Sequence, residues 1–183
     1  LRRVSLIHAV RPDIHTLDLR GNVDTRLRKL DAGDYDAIVL AGAGLIRLGL
    51  TSRVTEWLPL ESFLPSPGQG ALAIEVRAND ADVQQLFRPL AHAPTEAALA
   101  AERAFLAQLG VGCAAAVGAY ATTDRDDSLT LRAMIGAPDG RSVSGEATDG
   151  TDRATELGES LAARLLATGG RALVDECERG SVV

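Results

Sequence analysis

Asp36-Ala37-Ile38-Val39-Leu40-Ala41, followed at once by Gly42-Ala43-Gly44, is the stretch on which the fold reading turns. A compact apolar run that ends in glycine and leads into a helical pattern matches a parallel strand buried on both faces. Upstream, Thr16-Leu17-Asp18-Leu19-Arg20 alternates like a short strand and stops at Gly21-Asn22. Asn22 suits an N-cap for a helix over 23–31, with Val23, Leu27 and Leu30 on one face and Gly33 closing it. Val4, Leu6, Ile7 and Val10 predict a helix over 2–11 that Pro12 ends, and a short helix after Gly44 carries Arg47. This alternation predicts an α/β layer with parallel pairing.

Downstream the rhythm changes. Phe63-Leu64-Pro65-Ser66-Pro67-Gly68-Gln69-Gly70 reads as a stiff, turn-rich connection into a strand over 71–77, and Asn79 or Asp80 can cap a helix over 81–91. One strand and one helix are too little for an independent core. Thr95 then caps a helix to Leu109, striped with Leu99, Phe105, Leu106 and Leu109 and stopped by Gly110. Strands follow over 117–123, 128–136 and 142–148, with Ala137-Pro138-Asp139-Gly140 as the turn between the last two. A helix over 152–168 turns Leu157, Leu161, Leu165 and Leu166 inward, Gly169-Gly170 ends it, and a short helix over 171–178 holds Cys177. The fold class expected is therefore α/β plus α+β. The second part is a three-stranded antiparallel sheet carrying two helices.

With 183 residues, 46% hydrophobic and 24% charged, the chain has ample core material. Aromatic residues are only 3%, which argues against stacking platforms for single-stranded nucleic acid. The net charge is −6, yet residues 1–50 are net basic. An acidic protein with arginines gathered at one end points to a discrete anion site, with no nucleic acid as partner. No apolar run approaches the ~20 residues that span a bilayer, and no membrane partner is expected. Two distant cysteines are no disulfide framework, so a cytoplasmic setting is expected. No metal-ligand cluster stands out. The chain opens Leu1-Arg2-Arg3, without Met, and reads as the later part of something longer.

α/β layers bind ligands at strand carboxyl ends and helix N-termini. Arg20 lies at one such end, Arg26 one turn beyond Asn22, and Gly42 to Gly44 follow another. A lone arginine is most often a solvated charge. Grouped here, they form a cradle for carboxylates or phosphates. Gly42-Ala43-Gly44 is not a dinucleotide fingerprint, because Arg47 stands where its third glycine belongs. Cys113, in Gly110-Val111-Gly112-Cys113, is framed by glycines between a helix and a strand; taken locally, it reads as a small inert hydrophobe, as does Cys177.

The ordered motifs change that reading. Leu1-Arg2-Arg3, Leu19-Arg20-Gly21-Asn22 with Thr25-Arg26-Leu27, Tyr35 to Ala41, Gly44-Leu45-Ile46-Arg47-Leu48-Gly49, Leu64-Pro65 with Gly68-Gln69-Gly70-Ala71, Ala101-Glu102-Arg103-Ala104, Gly112-Cys113 and Gly136 to Gly140 resemble the porphobilinogen deaminase (hydroxymethylbilane synthase) family. The resemblance implies a transferase of tetrapyrrole (porphyrin and heme) biosynthesis. Such an enzyme joins four porphobilinogen units head to tail, releasing ammonia each time, on a dipyrromethane cofactor. That cofactor is held by a thioether, here to Cys113, formed as a soft thiolate attacks the methylene that ammonia leaves.

By the same resemblance Arg2, Arg3, Arg20, Arg26 and Arg47 pair with the carboxylates of cofactor and growing polypyrrole, and Gly21, Asn22, Ala41 and Gln69 line the cleft. It implies a partial type II periplasmic-binding-protein-like domain over 1–65, a hinge and returning strand-helix of a mostly absent first domain over 66–91, and a cofactor-attachment domain over 92–183. The full-length protein is then a monomer. No residue present matches the family's catalytic aspartate, so the chain alone is expected to be inactive. Ala116 stands where the family usually has proline. The competing reading is a non-catalytic anion-binding module of the same fold, in which Cys113 stays unmodified.

Overall fold

A computed structural model describes residues 1–110 and 115–180. Its core is the sheet formed by β1 (Ala116–Thr123), β2 (Ser128–Gly136) and β3 (Ser142–Gly150), all antiparallel in the order β1-β2-β3. The period-2 pattern of β2 sends Leu129, Leu131, Ala133 and Ile135, all fully buried, to one face. There they meet Phe105 and Leu109 of α5 (Ala93–Leu109), Leu157 and Leu161 of α6 (Ala154–Leu165), and Leu173 and Val174 of α7 (Arg171–Gly180). α5 and α6 cross closely at Gly158, where a Cβ would lie 2.8 Å from the Phe105 nitrogen and 2.9 Å from the Ala104 Cβ. Between α6 and α7 the chain winds through a π-type segment and breaks at Gly169, with φ 118°, as the glycine pair suggested.

The other face of the sheet receives the N-terminal region. α1 (Arg2–Val10) buries Leu6 against Leu64 and Met134, with Phe63 and Tyr120 beside them. Ser5, fully buried, presses on Gly136, where no side chain would fit. The His8 ring nitrogens face the carbonyls of Pro138 (2.6 Å) and Ile14 (3.1 Å), tying α1 to the β2–β3 turn. Gly140 in that turn has φ 93° and its Cβ position lies 2.7 Å from the α1 backbone. Glycine is needed there on both counts.

α2 (Val23–Asp31) starts as expected: the Asn22 side chain accepts from the Thr25 N–H at 2.9 Å. α3 (Gly42–Arg47) and α4 (Ala81–Phe87) follow, the latter capped by Asp80 and continued by a 3-10 turn over Arg88–Leu90. Two expectations are corrected. α5 begins before Thr95, because Pro94 in the first turn already has helical φ; Thr95 bonds the His92 ring instead. More consequentially, 16–20, 36–41 and 71–77 form no strands, and among the described residues there is no parallel pairing. A strand exists only where a neighbouring backbone about 4.8 Å away completes its ladder, and these runs have none among the described residues. What the structure establishes is a mixed helix–strand fold around one antiparallel sheet.

Candidate functional site

β1 is an edge strand, and its outward N–H groups need partners. The Ala119 N–H donates to the Pro65 carbonyl at 3.0 Å. The Ala121 N–H donates to the Glu102 carboxylate at 2.8 Å. Glu102 lies on α5, 6% exposed, and its second oxygen accepts from the Gly68 N–H at 2.6 Å. The connection over 65–68 is thus fastened along the sheet edge, and Gly68 takes the φ of 74° this course requires.

Gln69 follows on that anchored loop. Its Oε1 accepts from the Ser66 N–H at 3.3 Å and from Arg2 at 3.2 Å, while the other end of the Arg2 fork donates to the Leu64 carbonyl at 2.5 Å. Arg3, half-buried on the same helix, donates to the Val39 carbonyl at 3.2 Å. Arg26 donates to the Gly21 carbonyl at 2.8 Å, across a φ of 121° at Gly21 where a side chain would strike Thr25.

The electrostatics link these three arginines. Burial, then the neighbouring Arg3, lowers the Arg2 pKa to about 10. Burial, then Arg26, lowers that of Arg3. Among the described residues none of Arg2, Arg3, Arg26 or Arg47 has a carboxylate within ion-pair distance, whereas Arg11, Arg53 and Arg132 each hold one and Arg141 holds two. Gathering these guanidinium groups without carboxylates carries an electrostatic cost.

Beside them opens a cleft of about 570 Å³, lined by Ala41, Gly42, Gln69, Thr95, Leu99 and Glu102 among others. The Trp57 ring lies over Gly42, so that glycine serves close packing, with no phosphate-binding role needed to explain it.

The structure therefore brings together Arg2, Arg3, Arg26 and Gln69, with Ala41 on the same cleft as Gln69. Asn22 spends its side chain on capping. Arg20 is almost fully exposed and lies 3.9 Å from Asp18. Arg47 is exposed in the last turn of α3, and among the described residues no ion pair ties it to the group. Cys113, the proposed anchor, lies outside the described residues. Cys177 is buried, with Sγ 3.6 Å from the Gly136 carbonyl oxygen. Among the described residues no acid, histidine or cysteine cluster could hold a metal, and no helix is long and apolar enough to cross a membrane.

Comparison with known proteins bears on this geometry. Residues 1–85 match the family model described as "Porphobilinogen deaminase, dipyromethane cofactor binding domain", and residues 97–167 match "Porphobilinogen deaminase, C-terminal domain". The chain belongs to the porphobilinogen deaminase family. It is 51% identical over 174 residues to the porphobilinogen deaminase of Roseiflexus castenholzii, covering 95% of this chain and 57% of that protein. The corresponding protein of Desulforudis audaxviator is 47% identical over 182 residues, covering 99% of this chain and 59% of its own length. That of Brevibacillus brevis is 47% identical over 169 residues, covering 92% and 54%. The chain thus spans less than two thirds of the relatives it matches.

Glu102 stands within Ala101-Glu102-Arg103-Ala104, a motif that by itself names no role for it. The available signal was its position: Glu102, Phe105, Leu106 and Leu109 share one face of α5, so an acid sits on the apolar stripe. Burial raises its pKa above 4.5, and the Gly68 and Ala121 N–H groups oppose this without cancelling it. A carboxyl raised on folding contributes stability that is complete below the unfolded value, about 4.5, and is lost as pH rises through the folded value. The stability difference between the wild type and Glu102→Gln is therefore expected to shrink as pH rises across that window. Urea titrations at stepped pH measure it, and a difference independent of pH contradicts it.

Proposed function

We propose that this chain is the arginine-bearing and cofactor-carrying portion of a hydroxymethylbilane synthase. In this reading the full-length protein condenses four porphobilinogen units, with loss of ammonia, on a Cys113-linked dipyrromethane. The observation that carries the reading is the Arg2–Arg3–Arg26 group beside the Gln69 loop, in which Arg3 repels Arg2, Arg26 repels Arg3, and none has a carboxylate partner among the described residues. Dipyrromethane fits this surface because it brings carboxylates to guanidinium groups that lack them. When bound, it supplies the pyrrole terminus to which units are added.

This chain's residues do the rest of what can be assigned. Arg2 and Arg3 hold carboxylates through forked, permanently charged donors, and Arg26 adds positive potential from the first turn of α2. Gln69 fixes the Arg2 fork and, with Ala41, borders the space for the chain of pyrroles. Arg20 and Arg47 extend the positive wall as the product lengthens, each unit adding two carboxylates. Gly21 gives the backbone turn on which Arg26 rests, and Asn22 holds the start of α2. No residue of this chain is assigned as the proton donor; that role falls to the part of the relatives' length the chain does not span.

The domain reading is 1–65 as part of a type II periplasmic-binding-protein-like layer, 66–91 as hinge and returning strand-helix, and 92–183 as the attachment domain. The runs 16–20, 36–41 and 71–77 then pair with strands outside this chain. Exposed Leu72 (77%) and Leu86 (72%) support that reading. The full-length protein is a cytoplasmic monomer in this proposal.

The test is the intact mass of the full-length protein from a host that makes porphobilinogen. We expect added mass equal to two linked pyrrole units in the wild type and its loss in Cys113→Ser. An unmodified wild-type mass overturns the proposal.

A further inference from the structure

We propose that Glu102 is a positioning residue for the arginine cradle, acting through the Gly68–Gln69 loop on Arg2. The inference rests on the function proposed above. One carboxylate spans two elements, accepting from Gly68 on the loop at 2.6 Å and from Ala121 on β1 at 2.8 Å. The next residue, Gln69, accepts from Arg2, whose other donor reaches the Leu64 carbonyl at the loop's start. The Arg2 guanidinium is therefore oriented by two oxygens on one loop. Among the described residues that loop is held by Pro65 on Ala119 of β1 and by Gly68 on Glu102 of α5.

Each N–H takes its own oxygen of Glu102, Oε2 for Gly68 and Oε1 for Ala121, so the two bonds use both ends of the carboxylate. A glutamine in the same place offers one oxygen, and its NH₂ faces the remaining N–H. Glu102→Gln thus keeps the shape and breaks one of the two bonds. Among the described residues Glu102 forms no hydrogen bond or ion pair with Arg2, and the route from one to the other runs through Gly68 and Gln69.

The experiment uses the full-length protein, as wild type, Glu102→Gln, Gln69→Ala, the double variant, and Leu161→Ala as a core variant that destabilises without touching the loop. Protection of the Gly68 amide and of the Arg2 guanidinium protons is read by NMR hydrogen exchange, and kcat and KM with porphobilinogen by steady-state kinetics. The expected result is loss of protection at both sites in Glu102→Gln. KM should rise about tenfold, with a smaller change in kcat, and the double variant should be no worse than the poorer single one. Leu161→Ala should leave KM unchanged.

Unaltered protection of Arg2 in Glu102→Gln overturns the inference, as does a KM change no larger than that of Leu161→Ala. If Glu102→Gln does not fold, Glu102→Asp, too short to reach both N–H groups, is read by the same criteria. A wild type that fails to turn over porphobilinogen defeats the proposed function alone, because the exchange readings still decide whether Glu102 sets Arg2.

Discussion

Phe105→Ala is expected to destabilise the sheet-bearing unit by about 3–5 kcal/mol, the cost of deleting a fully buried aromatic and leaving its cavity. Phe105 has no exposed surface and lies where α5 crosses both the sheet and α6. Gly158, directly across, approaches its backbone nitrogen too closely for the helices to slide together and fill the space. Domains of this size hold only about 5–15 kcal/mol in total, so one substitution removes a large share. Chemical denaturation followed by circular dichroism measures the loss; a change below about 1.5 kcal/mol would mean that the crossing relaxes after all.

Arg3→Leu should have opposite effects on ligand binding and on the stability of the free protein. A guanidinium whose pKa is lowered on folding binds its proton less tightly in the native state. Its charge is therefore a net cost to folding at every pH below the lowered value. For Arg2 that cost is complete below about 10 and fades as pH rises from there toward the ordinary guanidinium value. Arg3 is shifted in the same direction by burial and by Arg26. Removing the Arg3 charge should leave the unliganded Tm unchanged or raised. Binding of porphobilinogen to the full-length protein should weaken tenfold or more, since a charge-assisted bond is worth about 1.5–3 kcal/mol. Calorimetric titration and thermal melts of the same samples test both halves. A lowered Tm with unchanged affinity would assign Arg3 to holding Val39 alone.

The helices could be read from the chain because their signals are local. Asn22 with Thr25, the Leu and Phe stripe of α5, and the glycines after α5 and α6 act within a turn or two. The antiparallel sheet could be read for a similar reason: β2 and β3 are joined by a turn whose residues specify it, and their register follows directly. The α/β layer could not, since strand identity depends on neighbours that local sequence does not name. Runs 36–41 and 71–77 have the composition of strands without a ladder among the described residues.

The same division holds for the site. Arginines and Gln69 were conspicuous by residue type and motif. Glu102 was not, because its importance lies in two backbone N–H groups, at Gly68 and Ala121, that no side-chain pattern announces.

The seat of α1 on the sheet has a kinetic consequence. His8 meets Pro138 across a separation of 130 residues, and Ser5 meets Gly136 over a similar span. On a ribosome adding ~5–20 residues per second, the helix bearing Arg2 and Arg3 emerges on the order of 10 s before its resting place exists. The α5–sheet–α6 unit closes over much shorter loops and has no such wait. The order of assembly should thus run against the order of synthesis: the later-made sheet forms first, and the earlier-made arginine helix docks onto it afterwards.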